Sequence, residues 1–205
     1  MSIKNIIFDL GGVILEIDYR RTYDAFHKLG ASNLDKLYSS LAQDVFFDDF
    51  ETGKITSELF RATINDRLNI KVSDNQFDNA WNAMLVDLPR DRLELIKSLQ
   101  KKYKVFLLSN ANAIHIDAVF SMCHQLYGFN VFQDYFDKDY YSYQIGKRKP
   151  HPEAFLHVMH ENKIQANETL FVDDVLQNIQ GAQCVDLHVM HIDKNRSIFN
   201  VVDFL

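Results

Sequence analysis

Four short runs constrain the fold of this chain most: Asn5–Phe8, Lys104–Leu108, Thr169–Val172 and Leu187–Ile192. The first three are near-continuously apolar and do not alternate. Runs of that kind read as strands buried on both faces, as in a parallel sheet. A further strand is predicted near Tyr140–Ser142. Helical patterns lie between the runs. Leu93, Leu95, Ile96 and Leu99 fall at helical spacing after Pro89, which predicts a helix over Asp91–Leu99. Pro152 has the place of a first-turn proline for a helix running through Phe155 and Val158. Strand and helix alternate, so the expected class is α/β with a parallel sheet. A length of 205 residues suffices for one such core and a small second lobe.

One segment interrupts the alternation. Residues from about Glu16 to about Leu88 show no convincing strand. Phe77, Trp81, Met84 and Leu85 fall on one helix face, and Leu59, Ile64 and Leu68 suggest another helix. The segment reads as a small helical bundle inserted between the first two strands. It carries 13 acids against 8 Lys and Arg, most of the chain's net charge of −6, which is read as a solvated bundle surface. The Phe-rich stretch Val45–Phe50 is read as bundle core rather than a ligand box.

Composition excludes several classes. The acidic balance argues against nucleic acid, which needs a basic stripe. No apolar run approaches the length of a membrane span, and Asp9 breaks the first run too early for a signal peptide. Two cysteines, Cys123 and Cys184, make no disulfide framework, so a cytoplasmic setting is expected. Seven glycines include no phosphate-binding P-loop, since Gly53-Lys54 lacks both the upstream glycine and the hydroxyl after lysine. His151, His157 and His160 near one helix are read as a wet surface, not a metal site.

In a doubly wound sheet, ligands bind beyond the carboxyl ends of the strands. Asp9 follows the first run, in "FDLGGVI"; Ser109 and Asn110 follow the second, in "FLLSNAN"; Asp173 and Asp174 follow the third, in "LFVDD". Lys149 precedes a proline and a helix start in "GKRKPHPEAF". Each has an ordinary reading alone: a loop acid, a turn, a helix cap, a surface charge. Jointly they point to one site. Asp9 and Asp174 offer hard oxygen ligands that suit Mg²⁺ with a backbone carbonyl and waters. The Ser109 hydroxyl, backbone amides and Lys149 suit a phosphate. A carboxylate facing that phosphate can attack it.

These four motifs resemble those of the haloacid dehalogenase superfamily, in the subclass with a helical cap between the first and second motifs. The resemblance spans nearly the whole chain and is strongest to sugar-phosphatase-like members, among them α-glucose-1-phosphate phosphatases, which carry a similar "DLG". It implies a Rossmann-like core over residues 1–15 and 90–205, a mobile helical cap over 16–89, Mg²⁺ and an aspartyl-phosphate intermediate. It implies Asp9 as the nucleophile, Ser109, Asn110 and Lys149 as phosphate binders, and Asp9, the Gly11 carbonyl, Asp173 and Asp174 at the metal. The expected partner is a small phosphorylated metabolite, and the expected state a monomer or weak dimer.

Gly11 departs from the family pattern, which places a proton-transferring Asp there. General acid–base help is worth roughly 10²–10⁴-fold, so slow turnover or an easily displaced leaving group is expected. Asp18 and His115 are the candidate substitutes. The rival readings are a metal-independent 2-haloacid dehalogenase, against which the paired acids Asp173-Asp174 argue, and a non-catalytic phospholigand- or protein-binding member of the same fold. A receiver domain would want its acid pair near the first strand and lacks the helical insertion.

Overall fold

The computed structural model describes residues 2–31 and 45–205. Residues 32–44 of the expected cap lie outside the described residues. Five parallel strands form the central sheet in the order β5-β4-β1-β6-β7: β1 Asn5–Phe8, β4 Lys104–Ser109, β5 Lys138–Tyr141, β6 Thr169–Asp173 and β7 His188–His191. β1 lies at the centre, between β4 and β6, so the strand order reverses around it. That is the topological switch point, where a crevice opens at the carboxyl ends.

The apolar runs bury both faces, and successive side chains take opposite sides. Ile6, Phe8, Val105, Leu107, Leu170 and Val172 join one core cluster. Ile7, Phe106, Leu108 and Phe171 join the other. The first face is covered by Leu93, Ile96 and Leu99 of the helix Arg90–Leu99 and by Ile116, Val119 and Cys123 of Ala113–Tyr127. The second is covered by Phe155 and Val158 of Pro152–Asn162 and by Ile179 and Ala182 of Leu176–Gln183. Pro152 does stand in the first turn of its helix.

Between β1 and β4 lie the helices α1 Tyr19–Lys28, α2 Val45–Glu51, α3 Ser57–Leu68 and α4 Asp74–Trp81. Thr56 caps α3, and Ser73 with Gln76 forms a reciprocal capping box on α4. Their apolar faces meet in a third cluster centred on Phe60, which stacks on Phe50 at 3.9 Å and meets Trp81 edge-on at 4.9 Å. Ile114, from the first turn of Ala113–Tyr127, joins this cluster. The Phe-rich stretch is therefore largely core. Arg61 on α3 makes a bidentate pair with Asp78 on α4, both bonds 2.8 Å.

The expectation of no strand between Glu16 and Leu88 is corrected. β2 Glu16–Ile17 pairs antiparallel with β3 Leu85–Asp87. Leu85 belongs to this ribbon and not to the helix, because α4 ends at Trp81 and a 3₁₀ turn, Asn82–Met84, follows. Strands of two and three residues are too short to leave a period in the sequence. The chain thus enters and leaves the helical segment along one ribbon. Gly53 adds a second close approach: its φ is +70°, and a Cβ there would sit 2.2 Å from the Tyr143 carbonyl oxygen.

Candidate active site

The strand ends converge on one cavity of about 510 Å³. Asp9 is 8% exposed at the end of β1, and its N–H donates to the Val172 carbonyl at 2.9 Å, which ties the loop to β6. The backbone then turns tightly, with Ile14 and Leu15 both donating to the Leu10 carbonyl. Gly12 has φ +76°, and a Cβ there would lie 2.2 Å from Asp174 Oδ2. The second glycine of "FDLGGVI" is what lets the first and fourth motifs touch. Gly11 has no such constraint, since a Cβ there would meet only Ile17, at 3.4 Å.

Lys149 is the hub. Its ammonium is buried and donates to Asp9 Oδ1 at 2.7 Å and to Asp173 Oδ2 at 2.7 Å. Asp173 is fully buried and also accepts from Val175 N–H at 2.8 Å and from the Asn178 amide. Asp9, Asp173 and Asp174 each offer an oxygen within 4.8 Å of the others. Burial works against the Lys149 ammonium, but the charges of Asp173 and Asp9 outweigh it and hold its pKa above the ordinary lysine value. Burial pushes the Asp9 carboxyl up to about 7, with Lys149 pulling it down and Asp173 adding to the rise. Burial, then Asp173, also raise Asp174. Three carboxyls sharing one ammonium leave a hard-oxygen cluster with excess negative charge. That donor set fits a divalent cation such as Mg²⁺.

Ser109 ends β4, buried, and lines the same cavity. Asn110 lines it too, but both ends of its side-chain amide serve the backbone of Lys149: Nδ2 donates to the Lys149 carbonyl at 2.7 Å, and Oδ1 accepts from Lys149 N–H at 2.9 Å. Its side chain positions the lysine rather than reaching for a ligand. All the expected residues, Asp9, Gly11, Ser109, Asn110, Lys149, Asp173 and Asp174, thus gather around one spot.

The two candidate proton donors are already engaged elsewhere. Asp18 caps α1 by accepting from Arg20 N–H at 3.0 Å; its side chain is half exposed and lies outside the cavity lining. His115 lines the cavity but is engaged at both nitrogens. Asn112 Nδ2 stands 3.1 Å from Nδ1, so Nε2 carries the proton and points at the Trp81 carbonyl, 3.4 Å away. Burial drives its pKa down to about 4, with the Trp81 carbonyl opposing, and its ring stacks on Trp81 at 5.2 Å. The neutral imidazole is a buttress between the core and the helical segment.

The remaining wall was not read from the sequence. Tyr19, Glu51, Met84 and Leu85 contribute from the helical segment and its ribbon, and Arg148 from beside Lys149. Arg148 bonds Asp48 and lies 3.0 Å from Glu51 Oε2. Burial raises Glu51 to about 7 against the pull of Lys149. The only signals were adjacency to features already singled out: Arg148 precedes Lys149, and Glu51 follows the Phe-rich stretch.

Known proteins are similar to this chain in sequence and fold. The D-ribitol-5-phosphate phosphatase of Bacteroides thetaiotaomicron is 36% identical over 177 residues, 86% of this chain and 85% of that protein. A haloacid dehalogenase family enzyme from the same organism, solved in complex with magnesium and inorganic phosphate, superposes with a TM-score of 0.89 at 36% identity, covering 98% of this chain and 99% of the other. A family hydrolase from Porphyromonas gingivalis gives 0.88 at 27% identity, covering 100% and 98%. A family model described as haloacid dehalogenase-like hydrolase matches residues 3–186, and with strand ends, lysine hub and acid cluster all in place, the chain belongs to that family of hydrolases.

Proposed function

We propose that the chain is a Mg²⁺-dependent phosphatase that hydrolyses a small phosphate monoester of the sugar or polyol phosphate class through an aspartyl-phosphate at Asp9. The observation that carries this reading is the buried Asp9–Lys149–Asp173 chain, with Asp174 beside it, at the floor of one cavity. The similarity to a ribitol-5-phosphate phosphatase supports the substrate class.

Lys149 fixes one oxygen of Asp9 and leaves the other for the phosphorus. Asn110 holds the lysine's backbone, and Asp173 anchors its ammonium from the far side. Ser109 and the loop amides receive the phosphoryl oxygens. Asp9, the Gly11 carbonyl and Asp174, supported by Asp173, would hold Mg²⁺, which supplies charge neutralisation at the phosphoryl group when bound. Attack by Asp9 breaks the ester P–O bond and the leaving oxygen takes its proton from water; a second water then cleaves the acyl phosphate, releasing inorganic phosphate and regenerating the carboxylate. Gly11 offers no proton to the leaving oxygen, and neither Asp18 nor His115 replaces it.

Residues 16–89 act as a cap on a core of residues 1–15 and 90–205, and closure of the cap excludes water. The β2–β3 ribbon joins the two parts. The test is phosphate release from a panel of sugar and polyol phosphates, with Mg²⁺ and with EDTA. Release that needs the metal and vanishes in Asp9→Asn supports the reading. Undiminished release by Asp9→Asn would overturn it, and halide release insensitive to EDTA would favour a dehalogenase.

A further inference from the structure

One charged pair of the cavity has no part in this chemistry. Glu51 is the last residue of α2, and Arg148 lies beside the hub lysine; both line the cavity. Glu51 Oε2 pairs with Arg148 Nη2 at 3.0 Å. Arg148 Nε is shielded from solvent and donates no hydrogen bond among the described residues. Buried polar atoms without partners are rare and costly, and each calls for an explanation. Both side chains line the cavity and keep part of their surface open, 29% for Glu51 and 27% for Arg148. A hydroxyl both donates and accepts, so adjacent hydroxyls on one carbon chain can bond the open parts of both side chains.

The local charge sharpens this. Arg148 is shared between Asp48 and Glu51, which leaves the trio net negative when both acids are ionised. An uncharged tail meets no penalty there, whereas a second phosphate meets repulsion in a cavity whose other end is already anionic.

We propose that Glu51 and Arg148 are specificity determinants that select monophosphates with an uncharged polyhydroxyl tail and turn away substrates bearing a second anionic group. The proposal rests on the phosphatase reading of the same cavity.

The test compares a five-carbon polyol monophosphate, n-pentyl phosphate and the matching polyol bisphosphate, on the parent, Glu51→Ala and Glu51→Gln. Loss of a charged hydrogen-bond partner should lower kcat/KM for the polyol monophosphate by about 10–100-fold in Glu51→Ala. The loss on n-pentyl phosphate should be smaller, so that the ratio of the two falls. Glu51→Gln, which keeps a neutral acceptor, should lie between, and should gain on the bisphosphate relative to the monophosphate. Calorimetric titration of Asp9→Asn, with and without the Glu51 change, should show the same loss of preference as a ratio of dissociation constants. Equal losses on both monophosphates would show that Glu51 merely latches the helical segment and would overturn the proposal, as would no change at all. If the parent hydrolyses no ester, the phosphatase reading fails, and the titrations still decide whether the pair prefers hydroxyls.

Discussion

The two walls of the cavity are built to different standards. On the sheet side, Asp9, Ser109, Lys149 and Asp173 are nearly or wholly buried, and the lysine and Asp173 are each held by several bonds. On the helical side, Tyr19 is 61% exposed, and the contact to the core runs through the partly open Arg148 pairs, the Trp81–His115 stack and the Gly53–Tyr143 approach. Under the proposed function, the difference separates two tasks. Bond-making needs side chains locked in place, and strand ends supply that at little extra entropy cost. Substrate choice needs a wall that can vary without disturbing the chemistry, and a helical insertion on a ribbon supplies that.

The contrast can be broken at its strongest point first. Asp9→Asn should cut phosphate release by at least about 10⁴-fold, the scale on which loss of a nucleophile is felt. Tyr19→Phe, on the other wall, should change KM more than kcat; steady-state kinetics on both variants checks the pair. Next in size is stability. Lys149→Met leaves Asp9 and Asp173 buried without their cation and should cost about 3–5 kcal/mol in urea unfolding. Arg148→Met, whose partners are partly solvated, should cost no more than about 1 kcal/mol. Equal costs would mean that the walls do not differ as described.

A third experiment restores what the loop lacks. Gly11 has an ordinary φ and room for a Cβ against Ile17, so Gly11→Asp should fold. It should raise turnover of esters with poor leaving alcohols by up to about 10²-fold, and that of nitrophenyl phosphate by less. Gly12→Ala, by contrast, should be destabilised by about 1–3 kcal/mol, because the left-handed backbone and Asp174 both oppose a side chain. A pH-dependent effect concerns His115. Its folded pKa is held near 4, while an unfolded histidine titrates near 6.5. Between those values the unfolded chain binds the extra proton, so stability rises with pH there, is complete above about 6.5 and is lost below about 4. His115→Gln should flatten that limb by on the order of 2 kcal/mol, read as urea midpoints across the window.

The same divide marks what could be read from the chain alone. β1 runs over the predicted Asn5–Phe8, and β4 and β6 extend their predicted runs by one residue each, because strands buried on both faces must be apolar throughout. The strand placed near Tyr140–Ser142 lies two residues earlier at its start, Lys138–Tyr141, since its exposed first half carries no apolar signal. The acids and the lysine were legible because strand ends have a known geometry. The side-chain role of Asn110 was not, because an amide that bridges to a backbone 39 residues away leaves no trace in spacing. Glu51 and Arg148 were missed for a related reason: their meeting depends on how the helix ending at Glu51 docks against the loop that precedes Pro152.

The ribbon of Glu16–Ile17 against Leu85–Asp87 has a consequence for how such a chain can be edited. Ile17 and Leu85 are register partners, so the point of departure and the point of return are one strand spacing apart, about 5 Å. A tight two-residue turn could bridge that gap in place of everything between. The sheet would then close on itself as a shorter protein, and a different bundle spliced at the same seam would inherit the chemical centre with a new doorway.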